Sequence, residues 1–273
     1  MDLLDIIALA LIQGITEFLP ISSSGHLALW PLLTGRPDQG PVMDVAVHLG
    51  TLVAVCLFFR SEVSRVFIGF FDVLRGRIST ASAQMFWLLA LATVPAVIFG
   101  LVLKFGGYQD DLRVLKVIGW ATLIGGVLLW LADRVPVRRG AAEGWTIRDA
   151  VLMGLAQAVA LIPGTSRSGI TMTMARWLGF DRTQAARLAL LMAMPVILAA
   201  GGLETVGVIR DGDFVLGADL ILGAGLSCIA ALMALAVMMR MFASEWTMLP
   251  FVIYRVALGV ILLVLAYSGA TTA

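Results

Sequence analysis

Two short polar segments interrupt the apolar sequence of this 273-residue chain. The first, QGITEFLPISSSGHL, begins at Gln13 and places Glu17 four residues later, on the same face of a helix. A proline, three serines, a glycine and His26 follow. A carboxylate, a run of hydroxyls and an imidazole in one tight turn can supply an orienting group, a nucleophile and a general acid or base. Close packing of small residues between membrane helices is the alternative explanation.

The second segment, LIPGTSRSGITMT, places Arg167 between two serines, at the start of a helix expected from about Gly169 onward. A guanidinium inside a membrane needs an anionic partner. The amides at a helix N-terminus bind phosphate, and Gly164 and Gly169 allow the backbone to approach closely. These features predict an oxyanion cradle. A structural ion pair between Arg167 and Glu17, without a substrate, is the competing interpretation.

The composition requires a membrane protein. The chain is 60% hydrophobic and 14% charged, whereas a soluble domain carries about 25% charged residues. The net charge of +1 excludes a basic face that binds nucleic acid. Apolar stretches of spanning length predict an all-α fold with about six transmembrane helices, at residues 43 to 60, 85 to 103, 117 to 132, 184 to 203, 216 to 239 and 249 to 267.

The two polar segments belong to an internal repeat. An offset of 144 positions aligns Gln13 with Gln157, Ser22 with Ser166 and Ser24 with Ser168. We therefore expect a single membrane domain, residues 1 to 273, built of two repeats at about 1 to 140 and 141 to 273. The apolar stretch before each polar segment is about a dozen residues long, which suits a re-entrant hairpin better than a span.

The number of spans predicts how the repeats are oriented. Three spans in each half, an odd number, force the second half to insert upside down, as in transporters with inverted repeats. The two tips, residues 20 to 26 and residues 163 to 171, should then meet near the bilayer midplane and line a cavity. Glu17 aligns with Leu161 and His26 with Ile170, so each half contributes groups that the other lacks. This asymmetry favours a composite catalytic site over a symmetric pore.

The basic residues predict which side of the membrane each loop faces. Arginines are concentrated in the loops at 60 to 84 and 132 to 148, which are therefore expected in the cytoplasm. The first hairpin then enters from the outer face, and the active site faces the periplasmic or external side. Two further polar residues are assigned structural roles. His48 is expected to be a buried hydrogen-bonding residue, with support of the site as the alternative, and Arg255 is expected to snorkel to the cytoplasmic surface.

The pair QGITEFLPISSSGH and PGTSRSG resembles the bacterial undecaprenyl-pyrophosphate phosphatases linked with bacitracin resistance, over nearly the whole chain. The resemblance implies hydrolysis of undecaprenyl pyrophosphate to the monophosphate carrier lipid and inorganic phosphate. It also implies a location in the bacterial plasma membrane, surrounded by membrane lipids, and dependence on a divalent cation, Mg²⁺ or Ca²⁺.

The family pattern assigns roles by position. Glu17 matches the essential glutamate, Ser23 the proposed nucleophile and His26 the motif histidine, and with Arg167 they form the expected catalytic set. Glu17 is also the expected metal ligand. Gln13 stands where some members have glutamate, which removes one charge from the metal site. The residues expected to bind the substrate are Gln13, Ser22, Ser24, Gly164, Ser166, Ser168, Gly169 and Thr171.

Other functions stay open from the sequence. A secondary transporter or lipid flippase is the main alternative, because re-entrant tips within inverted repeats are also transporter architecture. A membrane protease is less favoured, because the chain has no GxSxG or HExxH motif. A homo-oligomer is also possible.

Overall fold

The fold is known from a computed structural model that describes residues 2–36, 40–139, 144–210 and 217–268. These residues form α-helices and no strand, which confirms the predicted all-α class. In chain order the helices are α1 Leu3–Thr16, α2 Ser23–Thr34, α3 Gly40–Phe58, α4 Arg60–Leu74, α5 Ala81–Gly106, α6 Gln109–Leu112, α7 Leu115–Asp133, α8 Ile147–Val159, α9 Arg167–Trp177, α10 Arg182–Arg210, α11 Ala218–Ala243 and α12 Leu249–Tyr267.

Five helices of the described residues are long and apolar enough to cross a membrane: α5, α7, the Arg182–Leu203 part of α10, α11 and α12. The predicted span at residues 43 to 60 corresponds to a bent pair, in which α3 and α4 meet at 92°. The count of six holds only if this pair is taken as one span. The stretch after residue 60 is therefore a helix, where the sequence led us to expect a loop.

The bend has a local cause. Phe59 leaves the helical conformation, with φ −102° and ψ 36°, and α4 then turns to lie against α5. Gly69 allows the close approach, because a Cβ at this position would collide with the backbone of Ser82. Glu62 is buried and pairs with Arg187 on α10. These contacts bind α4 to the helix bundle.

The first helix of each tip hairpin, α1 or α8, is too short to cross a bilayer. The 14 residues of α1 and the 13 residues of α8 span about 20 Å, against a hydrocarbon core of about 30 Å. α1 packs on α3 and α11, whereas α8 packs on α5 and α9. Each is followed by a tip and a second helix, α2 or α9, as expected for a hairpin. The inversion of the two halves stays a prediction.

One end of the bundle is held together by Asp133, and we call it the Asp133 end. Arg182 Nε donates to Asp133 Oδ1 at 2.6 Å, and the backbone N of Met248 donates to Oδ2 at 3.0 Å. These bonds join the end of α7 to the beginnings of α10 and α12. The Glu62–Arg187 pair ties the bend between α3 and α4 to the same part of α10. The ends of several helices therefore lie together on one face of the protein.

Candidate active site

Both tips contain a serine with a strained backbone. Ser22 has φ 74° and ψ 93°, and Ser166 has φ 67° and ψ 110°. A residue other than glycine in such a region costs about 1 to 3 kcal/mol and persists only where its surroundings impose it. These two serines are the pair that the repeat aligns. Each directly precedes a helix, so that α2 begins at Ser23 and α9 at Arg167, two residues before the predicted start.

The tips contact each other through reciprocal hydrogen bonds. The backbone N of Gly164 donates to Ser24 Oγ at 3.2 Å, and Ser168 Oγ donates to the carbonyl of Leu19 at 2.9 Å. Ser24 and Ser168 are again equivalent positions of the repeat. The structure thus brings the two tips together, as the sequence predicted. Their depth in the bilayer stays a prediction.

Glu17 lies at the centre of the cluster that this contact creates. Its Oε2 accepts hydrogen bonds from Ser23 Oγ at 2.7 Å and from Gln13 Nε2 at 2.9 Å, and its Oε1 is paired with Arg167. Only 8% of Glu17 is exposed. A buried carboxylate is tolerated when it is paired and hydrogen-bonded, as here. Three predicted catalytic residues and Gln13 therefore form one connected group.

This arrangement has a chemical consequence for Ser23. Its hydroxyl proton points at Glu17, which leaves the oxygen lone pairs directed elsewhere and makes Glu17 the group placed to accept the proton. Arg167 also donates to the carbonyl of Ala193 at 3.0 Å. A guanidinium has five N–H donors, so these contacts leave donors for an anion. The ion pair with Glu17 exists, and the phosphate clamp stays a prediction.

His26 makes its contacts away from Ser23. Its Nδ1 lies 2.6 Å from the carbonyl oxygen of Ser22, and its Nε2 lies 2.5 Å from the hydroxyl of Tyr254 on α12. The motif did not identify Tyr254. The sequence does contain a signal for this residue. Tyr254 and Arg255 are adjacent in an otherwise apolar span, where a polar side chain costs free energy and therefore indicates a specific role.

His48 lies beside the site, in agreement with the alternative that the sequence left open and not with the favoured role of a buried hydrogen-bonding residue. A third of its side chain (34%) is exposed, and its Nε2 lies 3.9 Å from Glu17 Oε2. Its Nδ1 donates to the carbonyl of Asp44 at 2.7 Å, which holds the ring and turns Nε2 towards Glu17. α3 therefore contributes an imidazole to the cluster around Glu17.

The expectation that Arg255 snorkels to the surface is wrong. The residue is 0% exposed. Space for the guanidinium exists because Gly125 and Gly169 lack side chains, and a Cβ at either position would collide with it. The guanidinium donates to backbone carbonyls of both tips and of α7, namely those of Pro20, Ala121, Thr122, Gly164 and Thr165. Arg255 thus fixes the tips from behind.

The remaining predicted residues mainly shape the tips. Gly164 has φ +92°, and a Cβ there would collide with the backbone of Ile118. Ser166 Oγ accepts from the N of Gly169 at 3.1 Å and caps α9. Thr171 Oγ1 donates to the carbonyl of Arg167 at 2.6 Å, within its own helix.

The serines of each tip also lie close to each other. Ser22 Oγ and Ser24 Oγ lie 3.3 Å apart, as do Ser166 Oγ and Ser168 Oγ. Their roles as substrate ligands stay predictions.

Comparison with known proteins identifies the family. The family model described as bacitracin resistance protein BacA matches residues 6–261, which include both tips, His48 and Arg255. The chain is 53% identical to the undecaprenyl-diphosphatase of Jannaschia sp. (strain CCS1), over 98% of this chain and 100% of that protein. It is 52% identical to the undecaprenyl-diphosphatase of Dinoroseobacter shibae, again over 98% and 100%. The undecaprenyl-diphosphatase of Teredinibacter turnerae is 46% identical, over 97% of this chain and 99% of that protein. The chain therefore belongs to the bacitracin resistance protein BacA family.

Proposed function

We propose that this chain hydrolyses undecaprenyl pyrophosphate to undecaprenyl phosphate and inorganic phosphate. The observation that carries the proposal is the connected group of Ser23, Glu17 and Arg167, which places a hydroxyl, a proton acceptor and a cation together at the contact of two helix N-termini. The relatives that carry the name undecaprenyl-diphosphatase support the same substrate. The product lipid returns to cell-wall synthesis as a carrier.

The geometry supports a two-step reaction. Ser23 Oγ attacks the terminal phosphorus of the pyrophosphate, and its proton passes to Glu17 Oε2, 2.7 Å away. The bond from this phosphorus to the bridging oxygen breaks, and undecaprenyl phosphate leaves with the electron pair. Arg167 and the amides at the starts of α2 and α9 stabilise the charge on the transferred phosphoryl group.

In the second step, water attacks the phosphoserine and releases inorganic phosphate. A base must take a proton from this water, and the serine oxygen must regain one. Glu17 holds the proton that Ser23 lost and can return it, because the two side chains share a hydrogen bond. We assign the base to His26, whose Nε2 is the ring nitrogen with a lone pair when Nδ1 donates to Ser22.

A divalent cation fits the residues of this site. Glu17 Oε2 and His48 Nε2 lie 3.9 Å apart, close enough for both side chains to contact one ion. Gln13 Oε1 is buried without a hydrogen-bond partner among the described residues. We propose these three as ligands. The ion would neutralise charge on the pyrophosphate.

The small number of charged ligands indicates the kind of ion. The described residues contain no group of three or more His, Cys, Asp or Glu side chains that could hold a metal. Mg²⁺ commonly keeps several waters and binds one or two carboxylates together with substrate phosphates, whereas Ca²⁺ takes six to eight oxygen ligands. A site with few charged ligands would therefore suit Mg²⁺, which would supply positive charge beside the pyrophosphate.

We also propose that the site works from the outer face of the bacterial plasma membrane. α3 begins at Gly40, near Arg36, and ends at Phe58, near Glu62. Glu62 pairs with Arg187 at the Asp133 end, so Arg36 lies at the opposite end. Arg36 pairs with Asp5 at 2.6 Å, which places the start of α1 at the same end. The positive-inside rule assigns the Asp133 end to the cytoplasm, because it carries Arg134, Arg138, Arg139, Arg176, Arg182 and Arg187.

The function is tested with the detergent-purified chain and undecaprenyl pyrophosphate. We expect the release of phosphate and the formation of undecaprenyl phosphate, with both products absent for Ser23→Ala. An active-site variant that folds but does not turn over excludes a contaminating phosphatase. A wild-type chain that moves the lipid between leaflets without releasing phosphate would contradict the proposal and favour a flippase. Light scattering of the same preparation tests whether the chain forms a homo-oligomer.

A further inference from the structure

Tyr254 holds His26 from outside the first tip. Its hydroxyl lies 2.5 Å from His26 Nε2, and the two rings are stacked, with centroids 5.5 Å apart and 7° between their planes. A hydrogen bond and a ring contact thus act on the same imidazole. Tyr254 comes from α12, far along the chain from the motif that contains His26.

The opposite nitrogen of the ring determines where the proton lies. A backbone carbonyl can only accept, so the contact between His26 Nδ1 and the Ser22 carbonyl at 2.6 Å requires a hydrogen on Nδ1. In the neutral ring, Nε2 then carries the lone pair. The hydroxyl of Tyr254 can donate to this lone pair. Both ring nitrogens therefore have partners that suit the neutral Nδ1–H form.

The two partners of His26 are themselves held in place. Ser22 is buried (1% exposed) and has the strained backbone of the first tip, which directs its carbonyl. Tyr254 is followed by Arg255, whose guanidinium binds carbonyls of both tips. Arg255 fixes α12 against the tips. The hydroxyl of Tyr254, on the same helix, is therefore held at a fixed position relative to the imidazole.

We propose that Tyr254 is a positioning residue of the phosphatase reaction. It keeps His26 in the neutral Nδ1–H form and fixes the orientation of Nε2 until the substrate binds, when the attacking water replaces the hydroxyl at the single lone pair of this nitrogen and gives it a proton. The role rests on the proposed function, since it needs His26 in the second step of the hydrolysis. α12 thereby contributes a third part of the active site, beside the two tips.

The replacement Tyr254→Phe tests this role, because it keeps the ring and removes only the hydroxyl. We expect kcat to fall about tenfold, the order expected for the loss of one hydrogen bond, with KM unchanged. The thermal midpoint should also stay unchanged, because the stacking remains. Tyr267→Phe is the matched control on the same helix, and its exposed side chain (64%) predicts full activity. A Tyr254→Phe enzyme with the wild-type kcat would overturn the proposal.

A double-variant cycle distinguishes positioning of His26 from an effect elsewhere. If Tyr254 acts through His26, the variant that combines His26→Ala with Tyr254→Phe is as slow as His26→Ala alone. If the rate losses of the two single variants multiply in the double variant, Tyr254 acts independently of His26, which contradicts the inference.

The protonation state of the His26 ring can be measured in an experiment that does not depend on activity. The chain contains two histidines, so ¹⁵N-histidine labelling gives two sets of ring-nitrogen resonances. The variant His48→Gln retains only the His26 set and so assigns both. We expect His26 to show a protonated Nδ1 and an unprotonated, hydrogen-bonded Nε2, and Tyr254→Phe to move only the Nε2 resonance. A proton on Nε2 in the wild-type chain would contradict the neutral Nδ1–H form and with it the proposed role of Tyr254. If the wild-type chain released no phosphate, the proposed function would fail, while this spectrum would still decide whether Tyr254 holds His26.

Discussion

Glu17 and Arg167 form an ion pair although they are 150 residues apart in sequence. Glu17 follows α1, and Arg167 begins α9. The pair therefore joins the two halves of the chain at the site where the reaction is proposed to occur. It also holds a cation beside the hydroxyl of Ser23 before any substrate binds.

The first prediction concerns this cation. Arg167→Lys should lower phosphate release at least about a hundredfold, because lysine keeps the charge but loses the planar fork that binds a phosphate and a carboxylate together. Folding should survive, as judged by thermal unfolding in detergent. Arg75→Lys, at an exposed position, is the control and should be fully active. Near-normal turnover of Arg167→Lys would show that Arg167 has only a structural role.

The second prediction separates neighbouring serines of the first tip. Ser23→Ala should reduce kcat about a thousandfold or more, because it removes the nucleophile. Ser22→Ala should cost less than about tenfold, because the contact of Ser22 with His26 uses its backbone carbonyl. Single-turnover measurements with labelled lipid should reveal a phosphoserine only when Ser23 is present. Full activity of Ser23→Ala would indicate an activated water instead.

The third prediction concerns the metal. Exhaustive chelation should abolish phosphate release, and Mg²⁺ should restore it, because Arg167 alone does not neutralise a pyrophosphate in a low-dielectric site. His48→Asn should raise the Mg²⁺ concentration needed for half-maximal activity, since it removes a proposed ligand 3.9 Å from Glu17 Oε2. Binding of Mn²⁺ to the substrate-free chain, followed by paramagnetic resonance, gives a readout besides activity. Undiminished activity after chelation would contradict the metal site.

The fourth prediction concerns the buried Arg255. Arg255→Met should lower the thermal midpoint by more than about 4 °C and abolish activity, because it leaves several buried carbonyl groups of both tips without donors. Arg65→Met is the control, since Arg65 is exposed on α4. Arg255→Lys should restore only part of the stability, because an ammonium cannot reach the same set of carbonyls. A stable, active methionine variant would show that the tips hold their conformation without Arg255.

The fifth prediction concerns sidedness. In a chain with Cys56 and Cys228 replaced by alanine, single cysteines at positions 36 and 75 should differ in their reaction with an impermeant thiol reagent on intact cells. Position 36 should react, because it lies at the end opposite Asp133, and position 75 should not. Labelling at 75 but not at 36 would reverse the topology and move the active site to the cytoplasmic side.

The sequence predicted the parts of this site that lie within the two motifs. The repeat indicated that the tips meet, and the cost of ionisable groups in a membrane singled out Glu17 and Arg167. The lengths of α1 and α8 agree with the short apolar stretches before the tips. Such features depend on residues close together in sequence, or on opposite charges that must form a pair inside a membrane.

The contributions of α3 and α12 were not predictable in the same way. His48 and Tyr254 reach the tips only because of how these helices pack, and neither residue belongs to a local pattern. Arg255 was misassigned because its distance from the helix end suggested snorkelling, whereas Gly125 and Gly169 create an internal space for it. The bend at Phe59 likewise depends on the packing of α4 against α5.

The binding of Arg255 by carbonyl groups has a further consequence for the energetics of the site. Its partners in the described part of the chain are peptide dipoles, which orient around a positive charge without cancelling it. A standing positive potential therefore remains behind the tips, in a region where counterions screen little. This potential attracts a multiply charged headgroup to the tips. Once phosphate is released, the monophosphate lipid carries less charge and loses much of this attraction, so the same potential favours exchange of product for fresh substrate.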